Sequence, residues 1–318
     1  MILTVTLNAA IDRTVAVPNF HLGHRHRAVE ARTVAGGKGV NVARALKLLG
    51  RPVIATGLSG GPTGSRILER LAEESILNDF TQISEESRTN LAVVDPTSGQ
   101  QTEINERGPA VAPEELERFI EKLLYLAQGA EFCVVAGSVP PGLEPGVYGR
   151  LVSELRGLGV PTLLDTDGEP MRLGLRAGPD VVAPNELEAE QAVGHEFSDA
   201  GDLALGLGGL LEMGAHDAIV TRANGCVAIL GENGGRRRYE VEIEPLDPVA
   251  TVGSGDAFVA GYISARFLGA HGPDALAYGV ACGAESTQHF GAGEISPAEV
   301  ERLLSKVQVR ELEVPAPA

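Results

Sequence analysis

The chain has 318 residues, 43% of them hydrophobic, and carries 26 Lys and Arg against 43 Asp and Glu, a formal net charge of −17. That length and apolar content suffice for one large α/β core, whereas the acidic balance argues against nucleic acid or an anionic membrane as the main partner. Three scattered cysteines without metal-ligand spacing, the lack of any apolar run near ~20 residues and a start directly on a strand-like segment give the expectation of a cytoplasmic protein.

In chain order, residues 2–7 read as a buried strand, with Asp12 just past its end. Residues 13–34 break the pattern: Arg13 to Val17 and Ala28 to Val34 read as β, separated by the basic tract His24-Arg25-His26-Arg27. Ala35-Gly36-Gly37-Lys38-Gly39-Val40-Asn41 is a glycine loop opening an amphipathic helix over 39–49, with Val40, Ala43, Leu46 and Leu49 at helical spacing and Gly50 as the stop. A strand over 53–57 and a helix over 63–75 follow. Residues 88–105 form a hairpin pattern turning at Asp95-Pro96-Thr97-Ser98-Gly99. Helices at 113–128, 145–158, 185–193 and 200–213 then alternate with strands at 132–136, 161–165, 180–183 and 217–221. This alternation predicts an α/β fold with a mostly parallel central sheet, helices on both faces and ligands beyond the carboxyl ends of the strands. Asp12, Gly137, Asp165, Asn185 and Thr221 all follow strand ends and would share one cleft. The two irregular β stretches would form a small sheet above it, and the end of the chain, from about residue 311, reads as a flexible tail.

The most informative run is Gly253-Ser254-Gly255-Asp256, at the mouth of an apolar helical segment. A helix N-terminus offers unpaired N–H groups and partial positive charge, and glycines let a phosphate approach closely. A carboxylate beside a phosphate needs a task, and the chemical one is taking a proton from an attacking hydroxyl. An Asp N-cap on an ordinary turn explains the segment as well. The two glycine clusters match neither the P-loop nor the dinucleotide fingerprint. His21, His24 and His26 make a poor metal site, and Asp165-Thr166-Asp167-Gly168 lacks the ligands of a calcium loop.

Gly36-Gly37-Lys38-Gly39-Val40-Asn41 and Gly253-Ser254-Gly255-Asp256 resemble the two signatures of PfkB-type, ribokinase-like sugar kinases. The opening Leu3 to Asp12, Thr102-Glu103-Ile104-Asn105-Glu106 with Gly108-Pro109, and Gly137-Ser138-Val139-Pro140-Pro141-Gly142 are similar to the hexose-phosphate branch of that family. That branch comprises 1-phosphofructokinase, tagatose-6-phosphate kinase and the minor 6-phosphofructokinase. The resemblance runs in order from residue 1 to about 295 and implies a single three-layer kinase domain with a β-sheet lid formed by about 13–34 and 88–105. In many relatives such a lid also pairs two subunits. It implies Asp256 as catalytic base, with Gly253, Ser254 and Gly255 as the anion hole for the transferred phosphoryl group. Asp12, Gly37 and Asn41 become sugar contacts; Arg25, Arg27, Arg88, Lys38 and Ser138 become holders of the substrate's own phosphate. ATP as co-substrate would be met by Asn185, Thr221, Ala223, Gly225, Gly253 and Gly255, and Mg²⁺ by Glu188 through water.

Two departures stand out. Thr221-Arg222-Ala223-Asn224-Gly225 replaces a nucleotide-contacting S/T-L-G-x-x-G turn. In the lid strand, Asn90 is followed by Leu91 and Ala92, where 1-phosphofructokinases usually carry a lysine two residues after the asparagine. The second departure favours tagatose 6-phosphate or fructose 6-phosphate as substrate, giving a 1,6-bisphosphate. Fructose 1-phosphate stays as the alternative, and a non-catalytic sugar-phosphate sensor as the rival of another class.

Overall fold

The structure, a computed structural model, describes residues 1–232 and 234–312. The chain starts as β1 (Ile2–Thr6), leaves the body as β2 (Ala10–Ala16) and β3 (Glu30–Gly36), and returns as α1 (Lys38–Leu48). After β4 (Val53–Gly60), α2 (Gly61–Glu73) and β5 (Leu77–Ile83), it leaves again as β6 (Arg88–Val94) and β7 (Gln101–Ile104). Alternation resumes through α3 (Pro113–Ala127), β8 (Phe132–Ala136), α4 (Val147–Gly157), β9 (Thr162–Asp165), α5 (Gly168–Leu175) and β10 (Val181–Val182). Then come α6 (Glu186–Val193), α7 (Ala200–Glu212), β11 (Asp217–Arg222), β12 (Gly225–Glu232), β13 (Gly235–Glu242), α8 (Ser254–Phe267), α9 (Gly272–Ser286), α10 (Pro297–Leu304) and β14 (Gln308–Leu312).

Ten strands form one sheet in the order β14-β13-β12-β11-β10-β9-β8-β1-β4-β5, parallel from β11 to β5 and antiparallel at the β12–β14 end. Successive residues of β1 point to opposite faces: Ile2 packs with α1, α8 and α9, whereas Leu3 and Val5 pack with α3 and α4. Burial on both faces is what makes these strands near-continuous apolar runs and gives the three layers. The two excursions build a separate four-stranded sheet, β3-β2-β6-β7, with β2 and β6 parallel and their neighbours antiparallel.

The expected strands and helices are present with ends shifted by a few residues. Sequence reading gave no assignment to β5, α5, β12, β13, α9, α10 or β14. β5 lies at the sheet edge with Leu77 exposed, so its alternation is weak, and α5 is a short helix containing Pro170 and Gly174. One expectation is corrected. Glu311 and Leu312, assigned to the flexible tail, pair with Tyr239 and Arg238 as part of β14. The ladder supplies hydrogen bonds that composition alone does not reveal. Residues 313–318 of that tail lie outside the described residues.

Candidate active site

β1 sits where the sheet order reverses: the chain runs from β1 to β4 on one side and re-enters as β8 on the other. Loops leaving two such strands diverge and open a crevice. Here the crevice is spanned by Asn8 Nδ2 donating to Ser138 Oγ at 3.0 Å and to the Arg107 carbonyl at 3.0 Å. A cavity of about 870 Å³ lies between this edge and the small sheet, within the range for small-molecule sites.

α8 enters the cavity wall through Gly253, whose φ of 83° is left-handed. A Cβ there would fall 2.6 Å from the Ala292 Cβ, so packing and backbone both demand glycine. Gly255 is different, because a Cβ would meet no atom within 4 Å. Nothing in the fold requires glycine at 255, but its bareness leaves the first-turn N–H groups approachable. From Ala257 to Ala265 the helix is wholly buried, which anchors this N-terminus firmly.

Asp256, in that first turn, is buried, and its Oδ2 accepts from Asn41 Nδ2 at 2.8 Å. Burial, then the nearby Asp165 carboxylate, pushes its pKa up to about 7; Lys38 and the Asn41 amide pull the other way. Asn41 belongs to the first turn of α1, so the two glycine–helix entrances meet at this hydrogen bond. α1 is capped by Gly37 at φ 103°, where a Cβ would press on Thr6 Cγ2 at 2.7 Å.

Lys38 follows, its ammonium 2.8 Å from Asp165 Oδ1 and 3.2 Å from Glu188 Oε1. Burial works to lower the Lys38 pKa, but Asp165, Glu188 and Asp256 together outweigh it and raise it, so the cation is permanent. Asp12, at the base of the small sheet, accepts from Asn90 Nδ2 at 2.8 Å, and burial raises its pKa despite that bond and Arg88.

Most of the expected site residues line this one cavity: Asp12, Gly37, Lys38, Asn41, Arg88, Ser138, Asn185, Glu188, Thr221, Ala223 and Gly253 to Asp256. Three do not. Arg25 and Arg27 are exposed on the connection between β2 and β3, outside the cavity wall. Gly225 opens β12, where a Cβ would fall 1.9 Å from the Val241 carbonyl. Its glycine answers a close strand crossing and does not touch the cavity. Arg88 donates through Nε to the Asn8 carbonyl at 3.1 Å and through Nη1 to the Glu106 carbonyl at 2.9 Å.

Sequence reasoning missed Arg13 and Arg32, cations that do line the cavity. Arg32 bonds the Phe290 carbonyl and Glu294, tying the small sheet to the body. The signal was present as arginines on the strand-like stretches flanking the basic tract, but the tract itself drew the assignment. Asn185 caps α6: its Oδ1 accepts from the Glu188 N–H and Glu188 Oε2 accepts from the Asn185 N–H, both at 2.9 Å. Among the described residues no group of three or more His, Cys, Asp or Glu forms a metal cage.

Residues 3–299 match the model of the pfkB family carbohydrate kinases. The chain belongs to this family. It is 31% identical to a 1-phosphofructokinase of Borreliella burgdorferi over 98% of this chain and 99% of that protein. A 1-phosphofructokinase of Rhodobacter capsulatus is 37% identical over 84% of each chain. Among solved structures, phosphofructokinase-2 from Escherichia coli, in complex with substrates and products, superposes with a TM-score of 0.88 at 27% identity, covering 96% of this chain and 98% of that one. The expected family and the ribokinase-like α/β class with a small β-sheet are thus the ones found. As a pfkB kinase the protein is a carbohydrate phosphotransferase that uses ATP.

Proposed function

We propose that this kinase phosphorylates the free primary hydroxyl of a ketohexose monophosphate, with Asp256 as general base. The observation carrying the reading is a buried carboxylate, its pKa near 7, in the first turn of a helix whose Gly255 amide region is open to the cavity. A base is most effective when its pKa lies close to the working pH. Asp256 takes the hydroxyl proton as the oxygen attacks the γ-phosphorus and the bond to the departing ADP breaks. The N–H groups of Gly253, Gly255 and Asp256 face the charge on the phosphoryl group, the Ser254 N–H being taken by the Thr251 carbonyl at 3.2 Å, and Lys38 adds a fixed cation. Asp12 and Asn90 receive sugar hydroxyls; Arg88, Arg13 and Arg32 are the cations for the substrate's own phosphate.

Asn185, Thr221 and Ala223 form the wall for the nucleotide. Mg²⁺ belongs to the same proposal as the ion that neutralises the ATP phosphates when bound. Both Glu188 oxygens are already engaged, one in the α6 cap and one with Lys38, so this residue would hold the ion through water. The fold acts as one kinase domain, with the small sheet as a lid that excludes water from the reacting phosphate. Leu22, Val29 and Ile104 are exposed on that lid and its connections, which supports pairing of two copies through it. A cytoplasmic location fits three buried free cysteines and the lack, among the described residues, of a helix long and apolar enough to cross a membrane.

For the substrate, likeness along the whole chain to proteins named 1-phosphofructokinase supports fructose 1-phosphate. The second reading, a 6-phosphate of fructose or tagatose, rests on Ala92, which lines the cavity on β6 and supplies no cation there. The test is coupled ADP release with Mg·ATP and fructose 1-phosphate, fructose 6-phosphate, tagatose 6-phosphate or free fructose, compared by kcat/KM. Fructose 1-phosphate is expected to lead. A 6-phosphate leading would overturn that choice in favour of the Ala92 argument, and no turnover on any of them together with no ATP binding would favour the sensor.

A further inference from the structure

The hydrogen bond from Asn41 to Asp256 requires the amide to present its NH₂, and a free amide has two nearly equivalent orientations. Arg44, one turn along α1, settles the choice. Its Nη1 donates to Asn41 Oδ1 at 3.1 Å. A guanidinium has donors only, so the amide oxygen faces it and the NH₂ faces Asp256. The rest of the fork is also occupied. Nη1 reaches the Ala292 carbonyl at 3.0 Å, Nη2 the Ala35 carbonyl at 2.6 Å and Glu74 Oε1 at 3.1 Å, and Nε reaches Glu74 Oε2 at 2.5 Å.

Arg44 is only 3% exposed, and a buried ion pair is by itself weak evidence for stability, since apolar side chains of similar volume often do as well. What sets this one apart is where its bonds end. Ala292 is the residue packed against Gly253 at the α8 entrance, and Ala35 adjoins Gly36, the residue lying against the Asp12 carboxylate.

We infer that Arg44 is a positioning residue: by fixing the Asn41 amide and the Ala292 turn, it presents the Asp256 carboxylate to the substrate hydroxyl in one orientation. This rests on the reading of Asp256 as the base. With Arg44 gone, the Asn41 carbonyl can turn toward the carboxylate, and the ionised form of Asp256 loses its donor. The other charges facing Asp256 stay in place: Asp165 from β9, Asp12 from β2, and Lys38 from α1 with Glu188 of α6 behind it. Glu74, after α2, faces Arg44 itself.

The experiment uses the full chain with Arg44→Lys, which keeps a cation beside Glu74 but lacks the planar fork. The expected result is a fall in kcat of about tenfold or more, from misplacement of the base, with the KM for ATP changed less than about threefold. The acid limb of kcat/KM should move to higher pH, which a merely structural role would not produce. A folded Arg44→Lys variant with an unmoved limb and kcat within about twofold of the parent would overturn the inference. If Arg44→Lys does not fold, Glu74→Gln decides, because it loosens the fork while leaving Arg44 in place: a smaller move of the limb in the same direction supports positioning, and an unmoved limb overturns it. Asp256→Asn run alongside keeps the two readings apart. An active Asn variant defeats the base assignment, whereas an inactive one together with unmoved limbs in the other variants defeats only the role of Arg44.

Discussion

Replacing Asp256 by Asn removes the proposed base while keeping its shape, and the structure predicts opposite effects on activity and stability. General-base assistance is worth about 10²–10⁴ in rate, so kcat should fall by at least about a hundredfold. ATP binding should persist, since Gly253 to Gly255 are untouched. Stability should change with pH. Burial and Asp165 raise the pKa of Asp256 from 3.8 to about 7 in the folded protein. An unfolded chain therefore ionises this group first, and between about pH 4 and 7 the folded state loses stability as pH rises. The loss is complete above about pH 7 and vanishes below about pH 4, where both states are protonated. At about 1.4 kcal/mol per tenfold in proton affinity, the carboxylate costs the fold about 4 kcal/mol at pH 8 and under about 2 kcal/mol at pH 5. An amide carries no such penalty, so the Asn variant should gain about 2–3 kcal/mol relative to the parent on going from pH 5 to pH 8. Urea unfolding at the two pH values measures that difference and cancels any pH-independent cost of the buried amide. An equal stability difference at both pH values would refute the electrostatic account, and more than a tenth of the parent kcat would refute the base. In the unmodified enzyme, kcat/KM should drop about tenfold per pH unit below about 7.

Other expectations follow from the same geometry. Lys38→Met removes a cation that holds the Asp256 pKa down, so the acid limb of kcat/KM should shift to higher pH; a profile that stays put would show that Lys38 does not couple to the base. Gly255→Ala adds a methyl group that meets nothing in the fold, so the melting temperature should hold while kcat/KM for ATP falls. Gly253→Ala, which meets Ala292 and needs a left-handed backbone, should instead lower the melting temperature outright. Equal thermal effects of the two alanines would contradict the assignment of Gly255 to the phosphate path. Ala92→Lys places a cation on the cavity wall and should raise kcat/KM for fructose 1-phosphate relative to fructose 6-phosphate; an unchanged ratio in the substrate panel would remove Ala92 from the specificity argument.

Much of the site could be read in the sequence because its chemistry is local. Gly37 to Asn41 and Gly253 to Asp256 each pack a capping glycine and a polar cavity-lining side chain into a few residues at a helix start, and helix geometry alone fixes their relation. The cavity lining departs from the sequence reading where placement depends on strand direction. Arg25 and Arg27 stood out as a basic tract, yet the chain carries them out along the β2–β3 connection, while Arg13 and Arg32, on the strands themselves, line the cavity. Gly225 fitted a nucleotide-loop spacing, but the crossing against Val241 accounts for it.

By itself, then, the sequence determined the alternating α/β class, the two glycine-opened helix starts and the candidate base, since each depends on contacts within a few residues or on periodic burial. Tertiary structure alone decided that these sites meet. The Asn41–Asp256 bond joins residues 215 apart in the chain, and the Lys38–Asp165 and Lys38–Glu188 pairs join residues 127 and 150 apart. Only the order of strands around β1 brings such distant positions together. The raised pKa of Asp256 follows from that meeting, because burial and the approach of Asp165 are properties of the packed core and not of any stretch of chain.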